Sequence, residues 1–255
     1  LIAVPIGDPA GIGPEILAKA LCDDSVQAEA RCLAVGDRKI MESAVSLAKC
    51  RLNIKIVADP REGDYSKGVL NLIDLDNIDM DRFRPGEISG MCGRAAYGYI
   101  AKSVELALSR AVSAVATTPI NKEALRAGGV DFIGHTEIFG ALTNTPDPLT
   151  MFEVRGLRVF FLSRHVSLRK ACDMVTKERI KDYVKRCLEA LRRLGVTEGT
   201  MAVAGLNPHS GEHGLFGTEE MEHVAPAVEE LRAEGYPVAG PIGADSVVHL
   251  ALTGR

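Results

Sequence analysis

Short apolar runs alternate with longer amphipathic segments along most of this chain, and no other feature restricts its fold so strongly. The amphipathic segments carry apolar residues at helical spacing, as residues 92–111 do with Ala96, Ile100 and Val104 on one face. The strand-like runs of the first half are residues 1–6, 31–35, 53–57, 69–75 and 113–117. Strands that alternate with helices in this way are typical of α/β proteins built on a mainly parallel sheet. A chain of 255 residues can form one large α/β domain or two closely joined ones.

The second half contains a different pattern. Residues 149–154 and 157–162 are predicted to be a strand pair that turns at Arg155 and Gly156, and a helix follows from Thr176 to Gly195. The apolar run at 201–204 is predicted to be a buried strand. Three further helix signals are an Asp37 cap, a Thr218 cap followed by Glu219 and Glu220, and a last helix over residues 244–253.

Composition and charge exclude several classes of protein. A net charge of −4 gives no reason to expect nucleic acid or an anionic membrane as a partner. No apolar run approaches the roughly 20 residues that span a bilayer, and residues 1–6 are too short for a signal-peptide core. The six cysteines show no C-x-x-C spacing, so we interpret them as reduced thiols of a cytoplasmic protein.

A glycine-rich segment follows the first strand. Gly7, Gly11 and Gly13 have the spacing G-x-x-x-G-x-G, which matches neither the dinucleotide fingerprint nor the P-loop. A nucleotide-binding loop and a structural strand-to-helix turn both remain open, and the spacing favours the turn. Pro14 and Glu15 suit the first turn of the helix that follows.

Two histidines each follow an apolar run at a predicted strand end. His165 comes after residues 157–162, and His209 after the run at 201–204. If both strands belong to one sheet, the two imidazoles could bind one metal ion together with a third ligand or water. The alternative is two separate loop histidines. His213, His223 and His249 are interpreted as structural, although His213 lies close enough to His209 to be an accessory.

A third histidine begins a different motif. His135 and Thr136 lie just after Gly134, in a predicted tight bend that precedes an apolar stretch, which is a candidate helix. An imidazole, a hydroxyl and the N–H groups of a helix start form a small anion-binding set. A Thr cap beside a partly exposed histidine explains the pattern equally well.

Five blocks in order along the chain resemble the 4-hydroxythreonine-4-phosphate dehydrogenases of vitamin B6 biosynthesis. The blocks are residues 7–15, 118–123, 134–137, the segment around His165, and 206–209. The resemblance implies an isocitrate- or isopropylmalate-dehydrogenase-like three-layer α/β/α fold with a non-Rossmann NAD site. Residues 1–255 would form one catalytic α/β unit of two closely joined subdomains with the cleft between them. It also implies a homodimer with the site shared between subunits.

The resemblance assigns roles to individual residues. His135 and Thr136 would bind the phosphorylated substrate, and His165 and His209 would bind a divalent cation (Zn, Mg, Co or Mn). Asp245 is a candidate catalytic residue because the family has an acid there, although a helix-start Asp is an equal alternative. Residues that contact NAD are not assigned. Family members continue past the position of Arg255 with a third metal histidine and with Lys, Asn and Arg of the substrate site. We therefore expect the 255 residues to be a portion of an enzyme and to lack activity alone.

The predicted reaction is NAD-dependent oxidation and decarboxylation of a phosphorylated 3-hydroxy acid. The first candidate substrate is 4-hydroxy-L-threonine 4-phosphate, from pyridoxal phosphate biosynthesis. The segment 164–169 resembles at least as well the branch that acts on D-threonate or D-erythronate 4-phosphate. A metal-dependent phosphosugar lyase or hydrolase would use the same histidines without NAD, and a phosphometabolite-binding protein would show no turnover. Both of these functions also remain open.

Overall fold

The computed structural model describes residues 1–254. The chain forms two compact units, of which the first is Leu1–Pro148 and the second begins at Leu149. Each unit has its own sheets and its own apolar core. The expected cleft between two subdomains stays a prediction.

The first unit contains a five-stranded sheet in the order β3-β4-β2-β1-β5, in which every neighbouring pair is parallel. The strands are β1 (Ile2–Pro5), β2 (Cys32–Gly36), β3 (Asn53–Ile56), β4 (Val69–Asp74) and β5 (Ala114–Val115). The helices are α1 (Gly13–Cys22), α2 (Asp24–Glu29), α3 (Arg38–Leu47), α4 (Gly90–Leu108), α5 (Lys122–Ala127) and α6 (His135–Leu142). The alternation of strands and helices predicted from the sequence is confirmed.

Helix α4 begins two residues before the predicted start at Cys92. Gly90 and Gly93 form its first turn, although glycine is a poor helix former. A Cβ at these positions would overlap the carbonyl oxygens of Ala127 and Ala124 respectively. The glycines therefore let α4 and α5 approach closely, and this packing outweighs the local preference.

Asp37 caps α3 as predicted and also bonds to a second, distant segment of the chain. Its Oδ1 accepts hydrogen bonds from the N–H groups of Lys39 at 2.9 Å and Ile40 at 3.3 Å. Its Oδ2 accepts one from the N–H of Ile78 at 3.1 Å. The fully buried carboxylate thus joins the helix start to the segment that follows β4.

The second unit contains two small sheets. β6 (Met151–Val154) and β7 (Leu157–Phe160) form the predicted antiparallel hairpin, whereas β8 (Met201–Ala204) pairs in parallel with β9 (Val238–Ile242). Its helices are α7 (Leu168–Asp173), α8 (Lys177–Arg193), α9 (Ala225–Ala233) and α10 (Val247–Leu252). Strand β9 is not predicted from the sequence, because its Gly240 and Pro241 are residues that strands usually avoid.

The helix predicted to start after Thr218 is present. It begins at Glu219, where the carbonyl oxygen of Thr218 accepts a hydrogen bond from the N–H of Glu222 at 2.8 Å, and a π-helical turn, Glu220–Val224, leads into α9. Among residues 1–254, no helix has the length and apolarity needed to cross a membrane.

Candidate functional site

The glycine-rich loop of the first unit packs against the segment that follows β5. The N–H of Asp8 donates to the carbonyl oxygen of Pro119 at 3.1 Å. Gly7 has φ +73°, and a Cβ there would overlap the same oxygen. A Cβ on Gly13 would overlap the carbonyl oxygen of Ile6. Both glycines are required by backbone packing, which supports the structural-turn interpretation.

Thr118 joins the two loops. Its buried hydroxyl donates to the carbonyl oxygen of Pro5 at 2.9 Å. Because β1 and β5 are parallel neighbours, the loops that follow them lie at the same carboxyl edge of the sheet. Ligands of open α/β sheets bind outside this edge. No role is predicted for Thr118 from the sequence; the signal that could have found it was a Thr-Pro directly after a short strand.

Asp8 is a second residue without a predicted role. It is only 4% exposed, and its Oδ1 accepts a hydrogen bond from the N–H of Ala10 at 2.9 Å. Burial raises the pKa of this carboxyl, and the hydrogen bond from Ala10 only partly offsets that effect. The glycine-rich loop therefore places a buried acid at the carboxyl edge of the sheet.

His135 and Thr136 form the first turn of α6, so the predicted tight bend is wrong. The residue before them, Gly134, has no side chain to cap the helix. The N–H groups of that turn therefore have no capping side chain. Glu137 also lies in this turn and adds a negative charge beside it.

The Nε2 atom of His135 is buried and has no hydrogen-bond partner among the described residues. Burial lowers the pKa of the imidazole below its usual 6.5, and a hydrogen bond to the Thr118 backbone acts in the opposite direction. Buried polar atoms usually have a partner, so this nitrogen is suited to a ligand atom. Thr118 thus contacts both the end of β1 and His135. An imidazole, a hydroxyl and helix N–H groups can together bind a phosphate.

His165 and His209 are both exposed and both have left-handed backbones, with φ of 52° and 51°. They follow β7 and β8, which belong to different sheets. The premise that one sheet carries both histidines is therefore wrong. Whether their imidazoles meet at one metal ion stays a prediction.

The loop that carries His209 is unusual. Four non-glycine residues, interrupted only by Gly211, have φ between 43° and 56°, namely His209, Ser210, Glu212 and His213. The left-handed conformation costs an L-residue about 1–2 kcal/mol. Interactions elsewhere must hold this loop in place.

Glu220 supplies such interactions and is only 2% exposed. Its Oε1 accepts hydrogen bonds from the N–H groups of Leu206 and Asn207, each at 2.7 Å. Its Oε2 accepts one from Nδ2 of Asn207 at 2.9 Å, and Glu219 accepts another from the same atom at 2.7 Å. Burial acts to raise the pKa of Glu220, but these hydrogen bonds outweigh it and lower the pKa below 4.5. The two acids lie at the helix start, as expected, and their side chains also accept hydrogen bonds from Leu206 and Asn207, just before His209.

Asp245 follows β9, and His209 follows β8. Because these strands are parallel neighbours, both residues lie beyond the carboxyl edge of one sheet. Asp245 is exposed, and the cap residue of α10 is Ser246. The helix-cap alternative for Asp245 is therefore not what the structure shows.

Within residues 1–254, no three His, Cys, Asp or Glu side chains are grouped so that they could hold a metal ion. His165 and His209 offer two accessible imidazoles, the ligand type that Zn²⁺ and other divalent cations accept. The two side chains fit such a cation as part of its ligand set, which further ligands would complete.

A parallel sheet with polar loops at its carboxyl edge defines an α/β enzyme of the metabolite-binding kind. The model of one family, described as pyridoxal phosphate biosynthetic protein PdxA, matches residues 28–255. The chain belongs to this family. Since its curated and structural relatives are named dehydrogenases, the protein is an oxidoreductase.

Three relatives illustrate the similarity. A protein of Clostridium botulinum (strain Hall), named "Putative D-threonate 4-phosphate dehydrogenase", is 59% identical over all of this chain and 76% of its own length. A protein of the same name from Fusobacterium nucleatum is 58% identical with the same coverage. The crystal structure of 4-hydroxythreonine-4-phosphate dehydrogenase from Klebsiella pneumoniae has a TM-score of 0.92 and 39% identity, covering 100% of this chain and 77% of that one. The predicted isocitrate-dehydrogenase-like α/β fold is confirmed.

Proposed function

We propose that the protein oxidises and decarboxylates a phosphorylated 3-hydroxy acid with NAD. The observation that carries the phosphate assignment is the buried, unpartnered Nε2 of His135 in the uncapped first turn of α6. A phosphate oxygen would satisfy this nitrogen, and the hydroxyl of Thr136 with the N–H groups of the turn would bind the others.

D-Threonate 4-phosphate is the substrate that we favour. The relatives with 59% and 58% identity carry that name, whereas the 4-hydroxythreonine-4-phosphate dehydrogenase from Klebsiella pneumoniae is 39% identical. This ranking reverses the order predicted from the sequence. 4-Hydroxy-L-threonine 4-phosphate is the second candidate, supported by the similarity of the whole fold to that enzyme.

The residues of this chain bind and orient the substrate. His135 and Thr136 hold its phosphate, and Asp245 accepts the proton of the hydroxyl that is oxidised. The hydroxyl-bearing carbon loses a hydride, which gives a 3-keto acid. That acid loses CO₂, and the carbon that carried the carboxylate takes up a proton from water to give a phosphorylated ketone. NAD supplies the hydride acceptor.

His165 and His209 are the residues that would hold a divalent cation (Zn, Mg, Co or Mn). When bound, such a cation polarises a coordinated oxygen and stabilises negative charge that develops on it. The protein's part is to keep the two imidazoles in place. As the family resemblance implies, we further infer a homodimer with the site shared between its subunits.

We also propose that the protein works in the cytoplasm. All six cysteines are free thiols, in keeping with a reducing compartment.

The test is a direct assay of the protein that carries this chain. D-Threonate 4-phosphate with NAD should give NADH and CO₂ in equal amounts, and kcat/KM should exceed that for 4-hydroxy-L-threonine 4-phosphate. A chelator should abolish the reaction, and added Mn²⁺ or Zn²⁺ should restore it. Carbon–carbon bond cleavage without NADH would indicate a lyase, and tight binding without product would indicate a binding protein.

A further inference from the structure

A single buried carboxylate contacts the His209 loop on both sides of the histidine. On the N-terminal side, Glu220 accepts hydrogen bonds from the N–H groups of Leu206 and Asn207. On the C-terminal side, Gly211 lies directly against it, since a Cβ there would stand 2.9 Å from Oε2. His209 is therefore carried on a short span whose two ends meet the same side chain.

The loop fits tightly around this carboxylate. A Cβ on Gly205 would stand 3.1 Å from Oε1 of Glu220 and 2.8 Å from Oγ of Ser210. Side chains at Gly205 or Gly211 would push the loop off Glu220. The glycines of this loop are thus explained by contact with Glu220, rather than by turn formation alone.

The chemistry of the contacts requires an acid. Two backbone N–H groups and the amide of Asn207 all donate to Glu220, which has only acceptors when ionised. A glutamine would keep one acceptor oxygen, and it would place an NH₂ group against the NH₂ group of Asn207. The shape would be preserved while one contact became repulsive.

We propose that Glu220 is a positioning residue, which holds the loop over residues 205–211 so that the His209 imidazole is fixed for metal binding. This inference rests on the proposed function, because it takes His209 to be a metal ligand. Groups that orient metal ligands typically change metal affinity about 10- to 100-fold when they are removed.

The experiment compares Glu220→Gln with Glu222→Gln in the protein that carries this chain. Glu222 is an exposed acid on the same π-helix, so its variant removes the same charge without touching the loop. Zn²⁺ affinity is measured against a competing chelator, and the absorption spectrum of bound Co²⁺ reports the ligand geometry. Glu220→Gln should bind Zn²⁺ about 10- to 100-fold more weakly with an altered Co²⁺ spectrum. Glu222→Gln should match the parent protein in both.

Asn207→Ala is the second variant and removes the side-chain contacts to Glu220 and Glu219, while the two backbone contacts to Glu220 remain. It should weaken Zn²⁺ binding by about tenfold or less, and it supplies the test if Glu220→Gln does not fold. A lower melting temperature with unchanged Zn²⁺ affinity and Co²⁺ spectrum would show that Glu220 is merely structural. That result would overturn the positioning role of Glu220 and leave the proposed function standing. If His209→Asn left Zn²⁺ affinity unchanged in the parent protein, the metal site of the proposed function would fail, and this inference with it.

Discussion

The hydroxyl of Thr118 donates a hydrogen bond to the carbonyl oxygen of Pro5 over 2.9 Å, although 113 positions separate the two residues. This contact ties the loop after β5 to the end of β1, and Gly7 and Gly13 both pack beside it. His135 meets the backbone of the same threonine. Thr118 therefore connects the glycine-rich loop to the candidate phosphate site within the first unit.

Gly7→Ala should destabilise the protein much more than Gly86→Ala. Both glycines have left-handed backbones, with φ of 73° and 78°. The new methyl group would overlap Pro119 at position 7, whereas nothing lies within 4 Å at position 86. Both variants incur the left-handed cost of about 1–2 kcal/mol, and the clash adds about 1–3 kcal/mol. Urea unfolding measures the difference, and equal losses would contradict the packing of this loop.

Thr136→Val should weaken binding of the phosphorylated substrate while leaving NAD affinity unchanged. The substitution keeps the shape of the side chain and removes one hydrogen bond to a charged group. Such a bond contributes about 1.5–3 kcal/mol, so its loss should change KM or kcat/KM roughly tenfold to a hundredfold. Thr143→Val, at the other end of α6, is the matched control. Steady-state kinetics with each substrate varied would decide. An effect on NAD alone would show that this loop is wrongly assigned.

His135 should titrate below its usual pKa of 6.5 in the free protein, because burial disfavours the charged imidazole. Burial of the neutral imidazole stabilises the folded protein. This stabilisation is fully present above about pH 6.5, and it is lost as the pH falls from there toward the lower pKa of the folded state. Bound inorganic phosphate should raise the pKa by favouring the cation. NMR titration of the ring protons in phosphate and in chloride of equal ionic strength measures this. A free-protein midpoint at or above 6.5 would exclude the buried environment.

His165→Asn and His209→Asn should each lower divalent-metal affinity on the order of 100-fold or more, since ligand loss exceeds the effect of orienting groups. His249→Asn changes another exposed histidine, on α10, and should leave affinity unchanged. Zn²⁺ competition with a chelator gives the three constants. If only one of the first two variants loses affinity, the two imidazoles do not share an ion.

Glu230→Gln should destabilise the protein at neutral pH by an amount that shrinks in acid. Lys177 and Lys181 on α8 hydrogen-bond to Glu230 on α9 and lower its pKa from 4.5 to about 2. A depressed carboxyl pKa stabilises the fold above about 4.5, and the contribution is lost as the pH falls through about 2. Urea unfolding from neutral pH down to about 3 should show the wild-type advantage narrowing. Glu229→Gln, the exposed neighbour, is the control. Salt should also reduce the effect because the pairs are partly exposed.

The sequence predicted those features whose physical causes lie within a few residues of one another. Asp37 and Thr176 cap their helices through N–H groups two or three positions ahead. The hairpin turns at Arg155 and Gly156, where both residues have positive φ. Strand and helix periodicity are equally local, so the α/β class followed from the sequence. The family, carried by five short blocks, was also identified correctly.

The tertiary structure decided which distant segments meet. No local pattern gives the strand order β3-β4-β2-β1-β5, the approach of Gly93 to α5, or the link from Thr118 to Pro5. Glu220 shows the reason most clearly. Its sequence position suited a helix start, but its side chain turns to the N–H groups of Leu206 and Asn207. A buried acceptor takes whichever donors the fold brings to it, and the left-handed loop around His209 lies directly beside that contact. Local preferences therefore set the elements of this protein, while burial and hydrogen-bond pairing across the chain set its site.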